Sequence, residues 1–228
     1  DATVRTNTIS DATKNQILAK ANDQGLSLRE KSFDTLGPTI GNEAKANALK
    51  AVGIAIVAIT LYIAFAFRKV SKPISSWKFG ISAIIALVHD VLMVLGAFSL
   101  FGLFMGVEVD ALFITAILTI MGFSVHDTIV VFDRVRENLR KNNERRQKET
   151  FEETVGKSVS QTFTRSINTS LTTLITLLAL YIFGSDATRW FSLALLVGII
   201  AGTYSSVFLA SPLLVTVERW QAKKQLKK

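Results

Sequence analysis

Two carboxylates stand inside long apolar stretches of this sequence, each at the end of the same tripeptide. Asp90 closes Val88-His89-Asp90, and Asp127 closes Val125-His126-Asp127. An ionised group at the centre of a membrane helix costs at least about 2.5–3.5 kcal/mol, so such groups usually face a bundle interior or a wet cavity. We take Asp127 as the candidate centre of function. Asp90 is a second carboxylate, whose alternative role is to lock helices together by hydrogen bonds.

Small and polar residues surround Asp127 in the sequence: Gly122, Ser124 and Thr128. Small residues let neighbouring helices approach each other and leave room for water. A carboxyl in such a place takes up and releases protons if its surroundings alternate between apolar and cationic. His89 and His126 are interpreted as neutral groups that orient their neighbours or tune the adjacent Asp.

A candidate cation opens a later apolar stretch. Arg165 is this residue, and its alternative role is that of an ordinary interfacial anchor. Hydroxyl residues continue one helical face behind it: Ser166, Thr169, Ser170, Thr172, Thr173 and Thr176. The hydroxyl stripe favours a hydrated path, so the sequence predicts a proton relay of Asp127, Arg165 and Asp90.

A charged block follows the stretch that contains Asp127. It consists of Asp133, Arg134, Arg136 and Glu137. Asp133 and Arg136 stand at helical pairing distance, as do Glu137 and Lys141. We interpret the block as a structured cytoplasmic cap.

The elements that must position these residues are five apolar stretches within a transmembrane domain at 41–228. A helix needs about 20 residues to cross about 30 Å of hydrocarbon, and helix is expected where no water satisfies the backbone. We predict spans at about 46–67, 79–101, 109–132, 166–184 and 190–215. Gly198 and Gly202 in the last span form a small-xxx-small pair suited to packing.

Basic residues are concentrated in alternate links between the stretches. Of the 26 Lys and Arg residues, four lie in 68–78, nine in 133–165 and five in the tail 216–228. The positive-inside rule places these three segments in the cytoplasm and the N-terminal segment outside. Part of the second link, 139–158, is predicted as an amphipathic helix on the membrane surface, with a docking site for a partner as the alternative.

The composition excludes several kinds of chemistry. The 228 residues include no Cys, which removes thiol catalysis and thiolate metal sites, and only two His, so we predict no metal site. No phosphate-binding glycine loop followed by Lys-Ser/Thr is present, so the chain itself is not expected to hydrolyse ATP or to be an enzyme. Anionic lipid explains the basic clusters at the membrane face better than nucleic acid.

Residues 1–40 are predicted to be the end of a small extracytoplasmic α+β domain. Ala2–Thr8 alternates like a strand, a short helix follows Ser10 as N-cap, and Leu28–Leu36 favours a second strand. A β-α-β fragment of this size is not expected to be stable alone, so we expect its partner strands upstream. The start at Asp1, without Met, indicates a fragment or a processed chain.

The sequence around Asp127 resembles a known family. Gly122–Asn138, which reads GFSVHDTIVVFDRVREN, resembles the signature of the SecF family of bacterial protein-export membrane proteins. Gly37–Gly41 before the first span, Thr164–Ser170 and Val88–Asp90 also fit this family, as would the second half of a fused SecD–SecF protein. His126 departs from the pattern, because many relatives have Asn or another polar residue there.

The resemblance implies an all-α polytopic membrane bundle of the resistance-nodulation-division superfamily. Such a half has six spans, so five would be visible here and the first would lie upstream. A ferredoxin-like domain would stand between the first two spans, and residues 1–36 would be its end. The family's relay carboxylate maps onto Asp127 and its membrane Arg onto Arg165, whereas Asp90 and Asp133 carry over less directly.

The resemblance also implies a function in protein export at the bacterial inner membrane. The family acts with SecD beside the SecYEG channel, with YajC as a further candidate partner. It uses the proton-motive force to draw unfolded exported polypeptide across the membrane, with no cofactor; sodium in place of the proton stays open. Two other functions also stay open: a small-molecule or lipid exporter of the same superfamily, and a non-transporting scaffold of the channel.

Overall fold

The computed structural model describes residues 11–24, 38–67, 76–146 and 149–226 of the chain. The chain divides into two compact units, Asp1–Ala51 and Val52–Lys228. The first unit contains helix α1, Asp11–Asp23, which matches the short helix predicted there. Ser10 and both predicted strands lie outside the described residues, so the α+β domain and its boundary at residue 40 stay predictions.

Five helices of the described chain are long and apolar enough to cross a membrane. The first four are α2 at Pro38–Ala66, α3 at Ser76–Met105, α4 at Ala111–Glu144 and α5 at Phe151–Phe183. The fifth is a long helix in three parts: α6 at Asp186–Ser205, a π-turn at Ser206–Ala210 and α7 at Ser211–Leu226. The predicted number of apolar spans is confirmed, and each predicted span overlaps one of these helices.

Two of these helices extend far beyond their apolar parts. α4 continues from the predicted end at 132 to Glu144, and α5 begins at Phe151 instead of 166. The link 139–158 is therefore not one surface helix, because its two ends belong to α4 and α5. We call the polar ends of α4 and α5, residues 133–144 and 151–165, the polar hairpin.

Local interactions explain why the polar hairpin is helical. On α4, Glu137 pairs with Arg134 at 2.7 Å and with Lys141 at 2.6 Å, and such pairs support a helix without apolar residues. α5 begins with a capping box, in which Thr150 and Glu153 satisfy each other's backbone N–H groups. Length of the apolar run alone therefore underestimates both helices.

The π-turn lies just before Pro212. Proline has no backbone N–H, so it cannot bond to the carbonyl of Phe208 four residues earlier. The Ser211 hydroxyl donates to the Ser206 carbonyl at 3.1 Å, which satisfies an acceptor within the widened turn. The predicted span 190–215 is a single apolar stretch, and its sequence pattern does not anticipate this turn.

α6 is the central helix of the second unit and packs against α3, α4 and α5. Two glycines bring it close to α4. A Cβ atom at Gly198 would lie within 2.8 Å of Ile120 Cγ2, and one at Gly202 would lie 3.1 Å from Ser124 Cβ. The predicted packing role of these glycines is confirmed, and the close approach brings the residues after Gly202 to the carboxylates of α3 and α4.

Candidate proton site

Asp90, on α3, is completely buried, with 0% of its surface exposed. Its Oδ2 accepts a hydrogen bond from Ser205 Oγ at 2.7 Å and another from Ser124 Oγ on α4. Its Oδ1 lies 3.0 Å from Nδ1 of His89. Hydrogen bonds thus reach both oxygens of a carboxyl that has no access to solvent, which offsets much of the cost of its burial.

Asp127, on α4, is 6% exposed and is held in a similar way. Its Oδ1 accepts a hydrogen bond from Ser166 Oγ on α5, and its Oδ2 accepts one from Ser206 Oγ, both at 2.6 Å. Both serines are buried. The described donors to this carboxyl are therefore neutral hydroxyls from two different helices.

The two carboxyls belong to one polar layer. Ser205 and Ser206 are consecutive residues, and one bonds to Asp90 while the other bonds to Asp127. Ser124, a second donor to Asp90, stands nearly one helical turn before Asp127 on α4. The structure thus brings together the two carboxylates that the sequence singled out separately.

Arg165 is not part of this layer. Its side chain is exposed on α5, although the next residue, Ser166, bonds to Asp127. No described ion pair includes Arg165. The pairing of Arg165 with Asp127 is absent from this arrangement of the helices, and its role in a relay stays a prediction.

The two histidines have different surroundings. His89 is partly exposed and turns back to its own neighbour, with Nδ1 at 3.0 Å from Asp90 Oδ1. His126 is exposed and points away from the buried layer. The predicted role of tuning an adjacent Asp therefore fits the position of His89. The side chain of His126 lies on the exposed surface of α4, so the same role for His126 stays a prediction.

The supporting small and polar residues divide into two groups. Ser124 and Thr128 are buried beside Asp127, whereas Gly122 is exposed and a Cβ there would meet no atom within 4 Å. On α5 an open groove of about 260 Å³ is lined by Thr172, Thr173, Thr176 and Leu177. The hydroxyls of Thr172 and Thr173 donate to the carbonyl of Thr169, at 2.8 and 3.0 Å, and keep their capacity to accept hydrogen bonds.

Sequence reasoning missed Ser205 and Ser206. A serine inside a membrane helix usually satisfies itself by bonding to a backbone carbonyl of its own helix, so it carries little signal alone. Two adjacent serines followed six residues later by a proline were a usable signal. Pro212 removes a backbone hydrogen bond to Phe208, two residues after Ser206, and so disturbs the helix next to the serine pair.

The polar hairpin contains the predicted cap. Arg136 Nη2 pairs with Asp133 at 2.6 Å. The other terminal nitrogen of the same guanidinium, Nη1, donates to the carbonyl of Ala66 on α2 at 3.4 Å. Across the hairpin, Asn138 donates to Ser158 Oγ at 2.8 Å and Asn142 donates to Thr154 Oγ1 at 3.0 Å. The two helices are thus tied to each other beyond their apolar parts.

Glu149, in the turn of the polar hairpin, also joins its two arms. Lys157 Nζ donates to its carboxylate at 2.9 Å and Asn142 Nδ2 donates at 2.8 Å. These two hydrogen bonds hold the pKa of Glu149 below its ordinary value of 4.5. Protonation of Glu149 in acid should therefore weaken the hydrogen bonds that join the two arms at this turn.

The chemistry of the buried layer is that of oxygen acceptors and hydroxyl donors. A carboxyl accepts hydrogen bonds when ionised and donates one when protonated, and a hydroxyl does both. The layer is therefore suited to holding and passing a proton. Within the described residues, no three His, Cys, Asp or Glu side chains are grouped so as to hold a metal ion.

Comparison with known proteins gives a consistent result. The family described as "Protein export membrane protein SecD/SecF, C-terminal" matches residues 15–220. The protein translocase subunit SecF of Thermobaculum terrenum is 49% identical over 83% of this chain and 57% of its own length. The corresponding SecF of Anaerolinea thermophila is 43% identical over 94% of this chain and 68% of its own length.

A solved structure is also similar. The crystal structure of SecDF in the super-membrane-facing form matches with a TM-score of 0.73 and 35% identity, over 96% of this chain and 28% of that one. The chain thus spans between half and about two thirds of the length of these SecF relatives, and a smaller part of the length of the SecDF chain. The five apolar helices and these matches identify a multi-pass membrane protein. The chain belongs to the SecD/SecF family of protein-export membrane proteins, on its SecF side.

Proposed function

We propose that this chain is part of an accessory subunit of protein export that is driven by the proton-motive force. The observation that carries the proposal is the pair of buried carboxyls, Asp90 and Asp127, inside helices that are otherwise apolar. Charged groups at such depth are costly and are generally associated with ion pathways. The proton gradient serves as the energy source; the chain needs no cofactor and performs no enzymatic turnover, and sodium is the alternative coupling ion.

The relay in this proposal uses two states of Asp127. In one state the carboxyl is held by Ser166 and Ser206, as observed. In the other it pairs with Arg165, which stands next to Ser166 in sequence and is exposed here. The proton enters or leaves as Asp127 moves between hydroxyl and cationic partners, and the helices rearrange with it.

Partners follow from the surfaces and from the relatives. SecD, separate or fused, is proposed to cover the polar face of α5, since the relatives include a SecDF chain much longer than this one. The SecYEG channel and YajC are proposed neighbours, and the unfolded exported polypeptide is the proposed substrate. The basic segments, which include the polar hairpin, are proposed to face anionic lipid.

The proposed location is the bacterial inner membrane, with the basic links and the tail in the cytoplasm. The segment before α2 would then lie outside, as the end of a ferredoxin-like domain. A further span would precede that domain.

The test is an export assay in vesicles that contain the full-length protein with its partners and a defined membrane potential. Asp127→Asn keeps the size of the side chain and its ability to accept hydrogen bonds, but it cannot titrate. We expect at least a tenfold loss of potential-dependent export, together with loss of its dependence on pH. The matched control is Asp186→Asn, at an exposed carboxylate on α6, which should keep the wild-type profile.

The same assay separates the alternatives. A pure scaffold predicts that Asp127→Asn retains both its partners and its export activity, so that outcome would refute the relay. An exporter of small molecules or lipids predicts proton-coupled substrate flux in vesicles that contain no export channel. Sodium coupling predicts that a sodium gradient sustains export when the proton gradient is dissipated.

A further inference from the structure

The last membrane helix supplies one hydroxyl to each buried carboxyl. Ser205 Oγ lies 2.7 Å from Asp90 Oδ2, and Ser206 Oγ lies 2.6 Å from Asp127 Oδ2. Both serines are fully buried, with 0% of their surface exposed. Adjacent residues of a helix point about 100° apart, which is how neighbouring positions reach carboxyls on two different helices.

Each of these hydroxyls has two acceptors but only one proton. Besides its carboxyl, Ser205 Oγ lies 3.2 Å from the Gly202 carbonyl, and Ser206 Oγ lies 3.1 Å from the Thr203 carbonyl. An ionised carboxylate attracts the hydroxyl proton most strongly. A protonated carboxyl becomes a donor, so the hydroxyl can accept from it and turn its own proton to the backbone carbonyl.

The π-turn begins within this pair, since Ser206 is its first residue and Ser205 precedes it. It begins at Ser206 and ends just before Ser211, whose hydroxyl bonds back to the Ser206 carbonyl. π-turns inside α-helices are rare and occur often at functional sites. Here the turn lies between α6 and α7. The packing of α6 against α4 is fixed by Gly198 and Gly202, which stand before the turn.

We propose that Ser205 and Ser206 are positioning residues of the proton site. Ser205 acts on Asp90 and Ser206 acts on Asp127. Each donates to its carboxyl when that carboxyl is ionised, and when a proton is taken up it turns its own proton to the backbone carbonyl and accepts from the carboxyl instead. The proposal deepens the proposed function, because it assigns two further residues to the same relay.

Few other ionisable groups face this pair of carboxyls. His89 on α3 contacts Asp90, whereas His126 on α4 and Arg165 on α5 are exposed. Between Arg189 and Glu218 the last helix carries one titratable residue, Tyr204, which is also exposed. The hydroxyls of Ser205 and Ser206, together with those of Ser124 and Ser166, are therefore the described groups that donate directly to the two carboxyls.

The test measures each carboxyl separately in the full-length protein in membranes. N,N′-dicyclohexylcarbodiimide reacts with protonated carboxyls in apolar surroundings, and mass spectrometry locates the adduct on Asp90 or Asp127. The pH of half-labelling is recorded for wild type and variants. We expect Ser206→Ala to raise it by about one pH unit at Asp127, since an ionised carboxylate loses a donor, with a smaller change at Asp90. Ser205→Ala should show the reverse selectivity.

Two further variants make the result decisive. Ser206→Thr retains a hydroxyl and should restore the wild-type profile at Asp127. Ser192→Ala removes a buried serine of α6 that bonds to the Thr188 carbonyl, about 20 Å before Ser205 at 1.5 Å per residue, and should change neither profile. The proposal is overturned if both alanine variants leave the profiles unchanged, or if each shifts Asp90 and Asp127 equally. If the selectivity holds but Asp127→Asn exports normally, the positioning role stands and the proposed function fails.

Discussion

Lys78, near the start of α3, places its ammonium in a buried position where it has no hydrogen-bond partner in the described part of the chain. The hydroxyl of Ser82, one turn later on α3, is in the same condition. Glu218 on α7 attracts Lys78 electrostatically, but no described salt bridge joins them. A buried charge that is not directly paired generally costs more than an apolar residue of similar size.

The residue-scale prediction is that Lys78→Met stabilises the protein. Methionine keeps the length and flexibility of the side chain and removes the desolvation cost, so the free energy of unfolding should rise by about 1 kcal/mol or more. Thermal unfolding in detergent, followed by circular dichroism, measures the change. Lys50→Met, at an exposed position of α2, is the matched control and should have little effect. A lower melting temperature for Lys78→Met would show that Glu218 and the Trp77 ring, whose centroid lies 5.8 Å from the ammonium, compensate its burial.

At the same scale, the sequence could predict which carboxyls matter but not what holds them. A carboxylate in an apolar run is rare and costly, so Asp90 and Asp127 could be identified from type and position alone. Serines are common in membrane helices, and the direction of a hydroxyl depends on packing between helices that are far apart in the chain. The bond from Ser205 to Asp90 depends on the packing of α6 against α3, which the sequence alone does not specify.

At the scale of elements, hydropathy predicted the spans and missed the polar hairpin. The bilayer requires long apolar helices, so each span leaves a signal in the sequence. The hairpin is stabilised by pairs such as Asn138 with Ser158, which leave no periodic apolar pattern. A position at the start of a span likewise does not determine which neighbour a side chain faces, so the pairing of Arg165 with Asp127 stays a prediction.

The turn of the polar hairpin provides a pH-dependent prediction. The folded pKa of Glu149 is lowered, first by its hydrogen bond from Lys157 and then by that from Asn142. Its contribution to stability is therefore fully present above its ordinary pKa of 4.5 and is lost as the pH falls through the lowered value. Glu149→Gln should remove this contribution at neutral pH and abolish the acid-dependent part.

Hydrogen exchange at the backbone of residues 149–158 measures this effect, after correction for the intrinsic dependence of exchange on pH. Protection at neutral pH should fall in Glu149→Gln relative to wild type. Glu144→Gln is the matched control, because the contact of Glu144 with Arg140 is longer, 3.6 Å, and exposed. Equal protection in wild type and Glu149→Gln would mean that Asn142 and Thr154 hold the hairpin without the carboxylate.

At the scale of the whole molecule, the outward face of α5 differs from the other faces of the bundle. Arg165, Asn168 and Thr172 are exposed along it, and hydrocarbon would leave the first two unsatisfied. Exposed side chains at the middle of α3, such as Leu92, are apolar and suit lipid. A polar partner surface therefore fits α5 better than lipid does.

This asymmetry predicts the result of a cross-linking experiment, for which the absence of Cys from this sequence is convenient. A photoreactive maleimide attached to Thr172→Cys in the full-length protein should capture the proposed SecD partner in membranes. The same probe on Leu92→Cys should react mainly with lipid. Capture of the partner from Leu92→Cys but not from Thr172→Cys would place the interface on another face.

The length of α4 has a mechanical consequence. Asp127 lies well inside the helix, and the end at Glu144 is about 25 Å farther along at 1.5 Å per residue. A tilt of about 10° with its pivot at Asp127 would displace that end by about 4 Å. The tie between Asn142 and Thr154 makes α5 follow the movement. Such a tilt would make the polar hairpin a lever arm, because a small rotation about the buried carboxyl would become a displacement of several ångströms at the end of α4.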